Sequence, residues 1–303
     1  MRMGVVSSGT LDDQSHSAPA LASWHGRLYL AWTGGDGRIR VQTSTDGHHF
    51  SEPVPLDHES YGPRPDDTHT RKSRRGFGQA FPLAPALGFR GGQTFARPPA
   101  LAATEYGVDM AWRDPDRNIR VLRATPDGKP REITLAETSA VAPSIVGLGR
   151  NLALAWTGWD GHVNVVLPQA ESFDSPVRLD HTSANSPALC CVDGGLVLAW
   201  TGTDRHINID LAISGSFGHP QRMEETSEEG PAICAIRGRI ALAWTGADDH
   251  VNVALIEDGK SASKGVRLEP TTFYGAAITN HGGNLVLAWT GSDGRISLAD
   301  LQV

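Results

Sequence analysis

The chain of 303 residues is poor in cysteine: Cys190, Cys191 and Cys234 are the only three. They provide no even disulfide framework and no zinc-ligand spacing, so neither staple nor metal is expected. No segment reaches the roughly 18 consecutive apolar residues of a membrane-spanning helix, so no membrane partner is expected. Met1 to Ser8 lack the apolar core of an export signal, which together with free thiols points to a cytoplasmic protein. Positive charge is not in excess either. The formal net charge is -7, no nucleic-acid motif occurs, and a nucleic-acid partner is not expected.

Aromatic residues make up only 7% of the chain, yet six of the eight tryptophans stand in one context. Trp32, Trp112, Trp156, Trp200, Trp244 and Trp289 are separated by 80, 44, 44, 44 and 45 residues. Thirteen residues before each comes Pro19, Pro99, Pro143, Pro187, Pro231 or Ala276, and four residues after each comes an aspartate. A fixed period of this length marks a repeat architecture.

Within one copy, strands follow from alternation and turn residues. Ala188–Cys191, Leu196–Trp200 and His206–Leu211 read as three strands, with a fourth near Gln221–Glu224. Four strands in about 44 residues make a propeller blade. The expected fold is an all-β, six-bladed β-propeller filling residues 1–303 as a single domain. Its repeats lie near 17–60, 97–139, 140–183, 184–227, 228–272 and 273–303 plus 1–16, with an insertion at 61–96. The sixth copy stops after its third strand at Val303, and Leu11 lies eight residues before Pro19 as Leu179 does before Pro187. The segment Val5–Leu11 is therefore expected to close the last blade and remove its open edge.

Residues present in every copy read as architecture. Asp36, Asp116, Asp160, Asp204, Asp248 and Asp293 are expected to hold the turn between second and third strands. His162, His206 and His250, each followed two residues later by Asn164, Asn208 or Asn252, stand on different blades. They cannot converge on one metal ion, and contacts between neighbouring blades are expected of them. A repeated sugar site is the alternative reading. Cys190 and Cys234, at equivalent positions in adjacent blades, read as small buried core residues.

Ser44-Thr45-Asp46-Gly47-His48-His49-Phe50 resembles the Asp-box of sialidase-type propellers, Ser-x-Asp-x-Gly-x-x-Trp, one residue short and ending in Phe. A trace persists in Thr125-Pro126-Asp127-Gly128. The repeat Leu-Ala-Trp-Thr-Gly-x-Asp-Gly-x-x-Asn-Val also resembles tandem repeats of bacterial sialidase-like proteins. The resemblance implies the propeller fold. The early Phe/Tyr-Arg-Ile-Pro motif of active sialidases does not occur, Phe95-Ala96-Arg97-Pro98 being only an echo of it.

Unique function in a near-symmetric ring belongs where the copies differ. The links that enter the blades place Ser17, Arg97, Val141, Asn185, Glu229 and Tyr274 at one equivalent rim position, preceded by His16 and Glu228 among others. The insertion carries Arg64, Arg71, Lys72, Arg74 and Arg75, then apolar Phe77, Phe81, Leu83 and Leu87, and reads as a lid over the channel mouth or as a solvated excursion. Blade 2 replaces Trp-Thr-Gly by Trp112-Arg113-Asp114 and adds Asp109 within a strand, with Arg113 or an insertion arginine as its expected partner. Trp159 occupies a turn position that is small or polar in other copies, where an indole can stack on a sugar ring. A binding protein would hold a glycan or similar polyhydroxylated small molecule with Trp159, Asn185, Glu229, Tyr274, Arg97 and Arg113. A hydrolase, lyase or cyclase would draw on Glu228, Glu229, Asp114, His16 and Arg113. A protein-interaction platform is the third reading. No cofactor is implied by any of them.

Overall fold

The structure is a computed structural model and describes residues 3–59, 98–167, 173, 175–212, 215–257, 261–263 and 265–303. Arg97 and the insertion at 61–96 lie outside the described residues. Six separate antiparallel sheets are arranged as a propeller, and among the described residues there is no helix. Blade 4 shows the plan, with strands Ala188–Val192, Gly195–Thr201, His206–Leu211 and Gln221–Thr226 from axis to rim. The first strands of consecutive blades touch around the axis, including those of blades 6 and 1.

Two-residue hairpins join first to second strands. Asp193 and Gly194 both take positive φ (49° and 80°), the left-handed pair that a type I′ turn demands. The second strand is apolar on both faces because neighbouring blades cover it; Leu196 through Thr201 are all buried. Six core clusters fill the six seams between blades. Each repeat tryptophan packs into the seam with the preceding blade. Five of the six are buried, and Trp244 is partly covered. Burial pushes the Cys190 thiol up, with Cys234 beside it adding to the effect, so Cys190 is an inert core residue at neutral pH.

The ring closes through the N-terminal strand Gly4–Gln14, antiparallel to Arg295–Gln302 of blade 6 with Gly4 opposite Gln302. The last blade thus takes its outer strand from the other end of the chain, as the Leu11 register implies.

Hydroxyls stitch successive blades. The Ser183 N–H donates to Gly161 O (2.8 Å) in the blade behind, and its Oγ donates to Thr201 O (2.8 Å) in the blade ahead. Ser15, Ser139, Ser227 and Thr272 repeat the hydroxyl bond to the carbonyls of Thr33, Thr157, Thr245 and Thr290. Conversely, the Thr157, Thr201, Thr245 and Thr290 hydroxyls donate to the carbonyls of Asn185, Glu229, Tyr274 and Ser17 in the next blade. Ser183→Ala strands buried carbonyls and is expected to cost about 1–3 kcal/mol. Urea denaturation measures this, and an unchanged midpoint contradicts the stitching role.

Candidate functional site

The turns between second and third strands and the links between blades share one face. The aspartate four residues after the tryptophan caps five of these turns. Asp36, Asp160, Asp204, Asp248 and Asp293 each accept the N–H two residues onward, at 3.0–3.3 Å. Blade 2 departs from the expectation for Asp116. There Asp114 Oδ1 accepts the Asn118 N–H (2.8 Å), and its Oδ2 accepts Arg120 Nε (2.8 Å). Burial works to raise the Asp114 pKa, but the Arg120 and Asn118 bonds prevail and hold it below the usual range. Asp114 is an ionised cap and a poor proton donor.

The His-x-Asn pairs work inside their own blades, which corrects the expectation of contacts between blades. His162, His206 and His250 place Nδ1 against the carbonyls of Leu179, Met223 and Leu268 on their own outer strands. Asn164, Asn208 and Asn252 donate to the carbonyl of the histidine two residues earlier. Arg178, Arg222 and Arg267 close each set by donating Nε to Asp160, Asp204 and Asp248. The alternating pattern gives a residue's face; it does not give the strand across which it bonds.

Asp109 also finds a different partner from Arg113. Its Oδ1 accepts the Ala124 N–H (2.6 Å), and Arg123 Nε stands 3.9 Å away. Burial raises the Asp109 pKa against the opposing effects of Ala124, Arg123 and Thr104. A raised folded-state pKa means stability is lost as pH climbs above the ordinary carboxylate value of about 3.9. Relative to Asp109→Asn, the wild-type chain is therefore expected to be less stable near pH 7 than near about pH 4. Urea midpoints of both proteins at the two pH values check this, and a constant difference between them contradicts it.

Rim residues from different blades meet in an arc. Asn185 Nδ2 donates to Glu228 O (2.9 Å) across the seam between blades 4 and 5. The Glu228 carboxylate pairs with Arg205. Next in the ring, Glu229 Cβ lies 4.0 Å from where a Cβ on Gly275 would stand, next to Tyr274, whose pKa is raised by burial and further by the Glu229 charge. His16 stays exposed, its ring lying over Gly35, where an added Cβ would stand 3.1 Å from Nε2. Asn185, Glu228, Glu229 and Tyr274 are thus brought together, while His16 belongs to blade 1.

The second cluster spans blades 2 and 3. Trp159 is 54% exposed although its indole is large and apolar. The Arg117 guanidinium lies 4.6 Å from the ring centroid and that of Arg113 lies 5.6 Å away. Both are within cation–π range, worth about 0.5–1 kcal/mol at an exposed site. Arg113 is 2% exposed and stands where other blades have the stitching threonine, so blade 2 has no threonine hydroxyl to donate at this point.

Sequence reasoning missed Arg117, although the repeat carries its signal. The residue five after each tryptophan has positive φ in every blade: Gly37, Arg117, Gly161, Arg205, Asp249 and Gly294. Glycine adopts this conformation freely, whereas an L side chain there costs about 1–2 kcal/mol. Arg117 and Arg205 keep long charged side chains at that cost, one over Trp159 and the other on Glu228. Strained positions of this kind cluster at binding sites.

No family model matches the chain, and no curated protein matches it in sequence. Solved structures do match in fold. AofleA from Arthrobotrys oligospora superposes with a TM-score of 0.62 at 8% identity, covering 97% of this chain and 84% of that one. BBS1N in complex with ARL6DN gives 0.54 at 11% identity, with 99% and 96% covered. The fucose-specific lectin from Aleuria aurantia gives 0.60 at 10% identity, with 96% of this chain and 93% of that one covered. At these identities the likeness establishes a shared propeller fold.

Proposed function

We propose that this protein is a lectin-like propeller that binds a glycan on its loop face, with Trp159 as the platform. The observation that carries the reading is an exposed indole braced by two guanidiniums at the one seam where the repeat loses its stitching threonine. The C–H face of a pyranose stacks on an indole, and guanidinium N–H groups donate to ring hydroxyls. The fold shared with a fucose-specific lectin makes fucosides the first glycans to try. Catalysis is less well supported, because Asp114 and Glu228, two of the candidate acids, are tied to Arg120 and Arg205. A glycan array probed with the intact chain tests the proposal. Saturable binding to a restricted set of glycans is expected, and no binding to neutral or acidic glycans overturns it.

A further inference from the structure

Opposite the loop face, the seam between blades 4 and 5 contains a cavity of about 620 Å3. This lies within the usual range of small-molecule sites, about 300–1,000 Å3. Its walls include Val192, Leu196, Val197, Leu211, Ile240 and Ile256, and Asp193 and Arg239 supply the charged groups. It opens beside the hairpin turns between first and second strands. Trp159 belongs to the other end of the blades, a second strand of seven residues away, or about 20 Å.

The repeat explains the cavity. Six residues before the core residue of the outer strand, blade 1 has Phe50 before Leu56, and blade 3 has Phe173 before Leu179. Blade 4 has Phe217 before Met223. Each phenyl ring packs into the seam with the preceding blade: Phe50 between blades 6 and 1, Phe173 between blades 2 and 3, Phe217 between blades 3 and 4. In the blade 3–4 seam, Phe217 joins Leu148, Leu167 and Ala212 in the core cluster. One repeat onward those three positions are Val192, Leu211 and Ile256, which line the cavity.

Blade 5 has Ala262 in that register, six before Leu268. Ala262 lies in a short strand, Ser261–Ala262, folded back on the third strand with Ala262 opposite Ile256. The side chain supplied there is one methyl group. Blades 2 and 6 have Lys129 and Val5 in this register, and the seam between blades 5 and 6 is packed instead by Val303 and Met3. Leu211 remains 42% exposed at the cavity, an apolar surface that a ring from blade 5 would cover.

We infer that the blade 4–5 seam is a second binding site, for a small aromatic molecule whose ring takes the place that phenylalanine fills in three of the other seams. An aliphatic wall favours such a ring by burial of apolar surface. Asp193 and Arg239 offer a carboxylate and a guanidinium to a polar substituent, one favouring a donor and the other an acceptor.

Indole is the test probe, titrated by calorimetry into the full chain. Saturable binding to the wild type is expected. Ala262→Phe fills the cavity from within and is expected to weaken indole binding about tenfold or more, with a rise in Tm. Leu211→Arg changes an exposed wall residue, so it tests the site even where Ala262→Phe fails to fold, and the same loss is expected. Trp159→Ala is expected to bind indole as the wild type does. No saturable binding to the wild type overturns the inference, as does indole affinity retained in Leu211→Arg or in folded Ala262→Phe. Loss of indole binding in Trp159→Ala overturns it too, by placing the probe on the loop face.

Discussion

Deleting residues 1–14 is expected to destroy the folded ring. The strand Gly4–Gln14 pairs at seven positions with Arg295–Gln302, and Leu11 packs into the core cluster between blades 6 and 1. At about 0.5–1.5 kcal/mol for each net hydrogen bond, these contacts are comparable with a whole domain's stability of about 5–15 kcal/mol. The deletion also exposes Arg295–Gln302 as an unpaired edge, a template for aggregation. Insoluble protein, or a chain without a cooperative thermal transition, is the expected result. A circular permutant that carries residues 3–14 after Val303 through a short loop restores the pairing. It is expected to melt cooperatively, because Gly4 already lies opposite Gln302. A soluble, cooperatively melting deletion variant contradicts closure by this strand.

Trp159→Ala is expected to abolish most glycan binding while leaving the fold intact. Truncating a tryptophan anchor costs about 2 kcal/mol or more, roughly a thirtyfold loss of affinity. Since Trp159 is 54% exposed, the stability cost is confined to its two cation–π contacts, about 1–2 kcal/mol. Arg117→Gly separates fold from function further. It relieves the positive φ of 78° and is expected to keep stability within about 1 kcal/mol while weakening binding. Calorimetry and urea denaturation on the same samples measure both quantities. Undiminished affinity in the two variants removes the Trp159 cluster from the site.

The ring was legible because its determinants repeat. A tryptophan every 44 or 45 residues after the insertion, a proline thirteen earlier and a capping aspartate report the same contacts blade after blade. Closure was legible from the Leu11 register for the same reason. Local pairing choices were not. Asp114 and Asp116 both lie in the blade 2 turn, and only the turn's three-dimensional path sets Asp114 against the Asn118 N–H. Arg123 lies fourteen residues from Asp109, a neighbour made by strand pairing that spacing cannot supply. The carboxylate of Asp210 likewise meets His181 from the preceding blade (3.1 Å), and His181 stacks on Trp200. Of the candidate site, the exposed indole was legible, but its guanidinium partner Arg117 was hidden in a position that glycine fills in blades 1, 3 and 6. The aromatic register of Phe50, Phe173 and Phe217 lay outside the tryptophan motif, so the gap at Ala262 emerged only with the cavity.

Broken symmetry, rather than the repeat, is held to carry the function, and stoichiometry tests this most directly. Blades 3, 4 and 5 share the same Asp, His, Asn and Arg sets, whereas the Trp159 cluster occurs once. Calorimetric titration with the tightest glycan from the array is expected to give one site per chain, lost in Trp159→Ala. Three equivalent sites that survive Trp159→Ala would contradict it, and would move recognition to the repeated His-x-Asn faces.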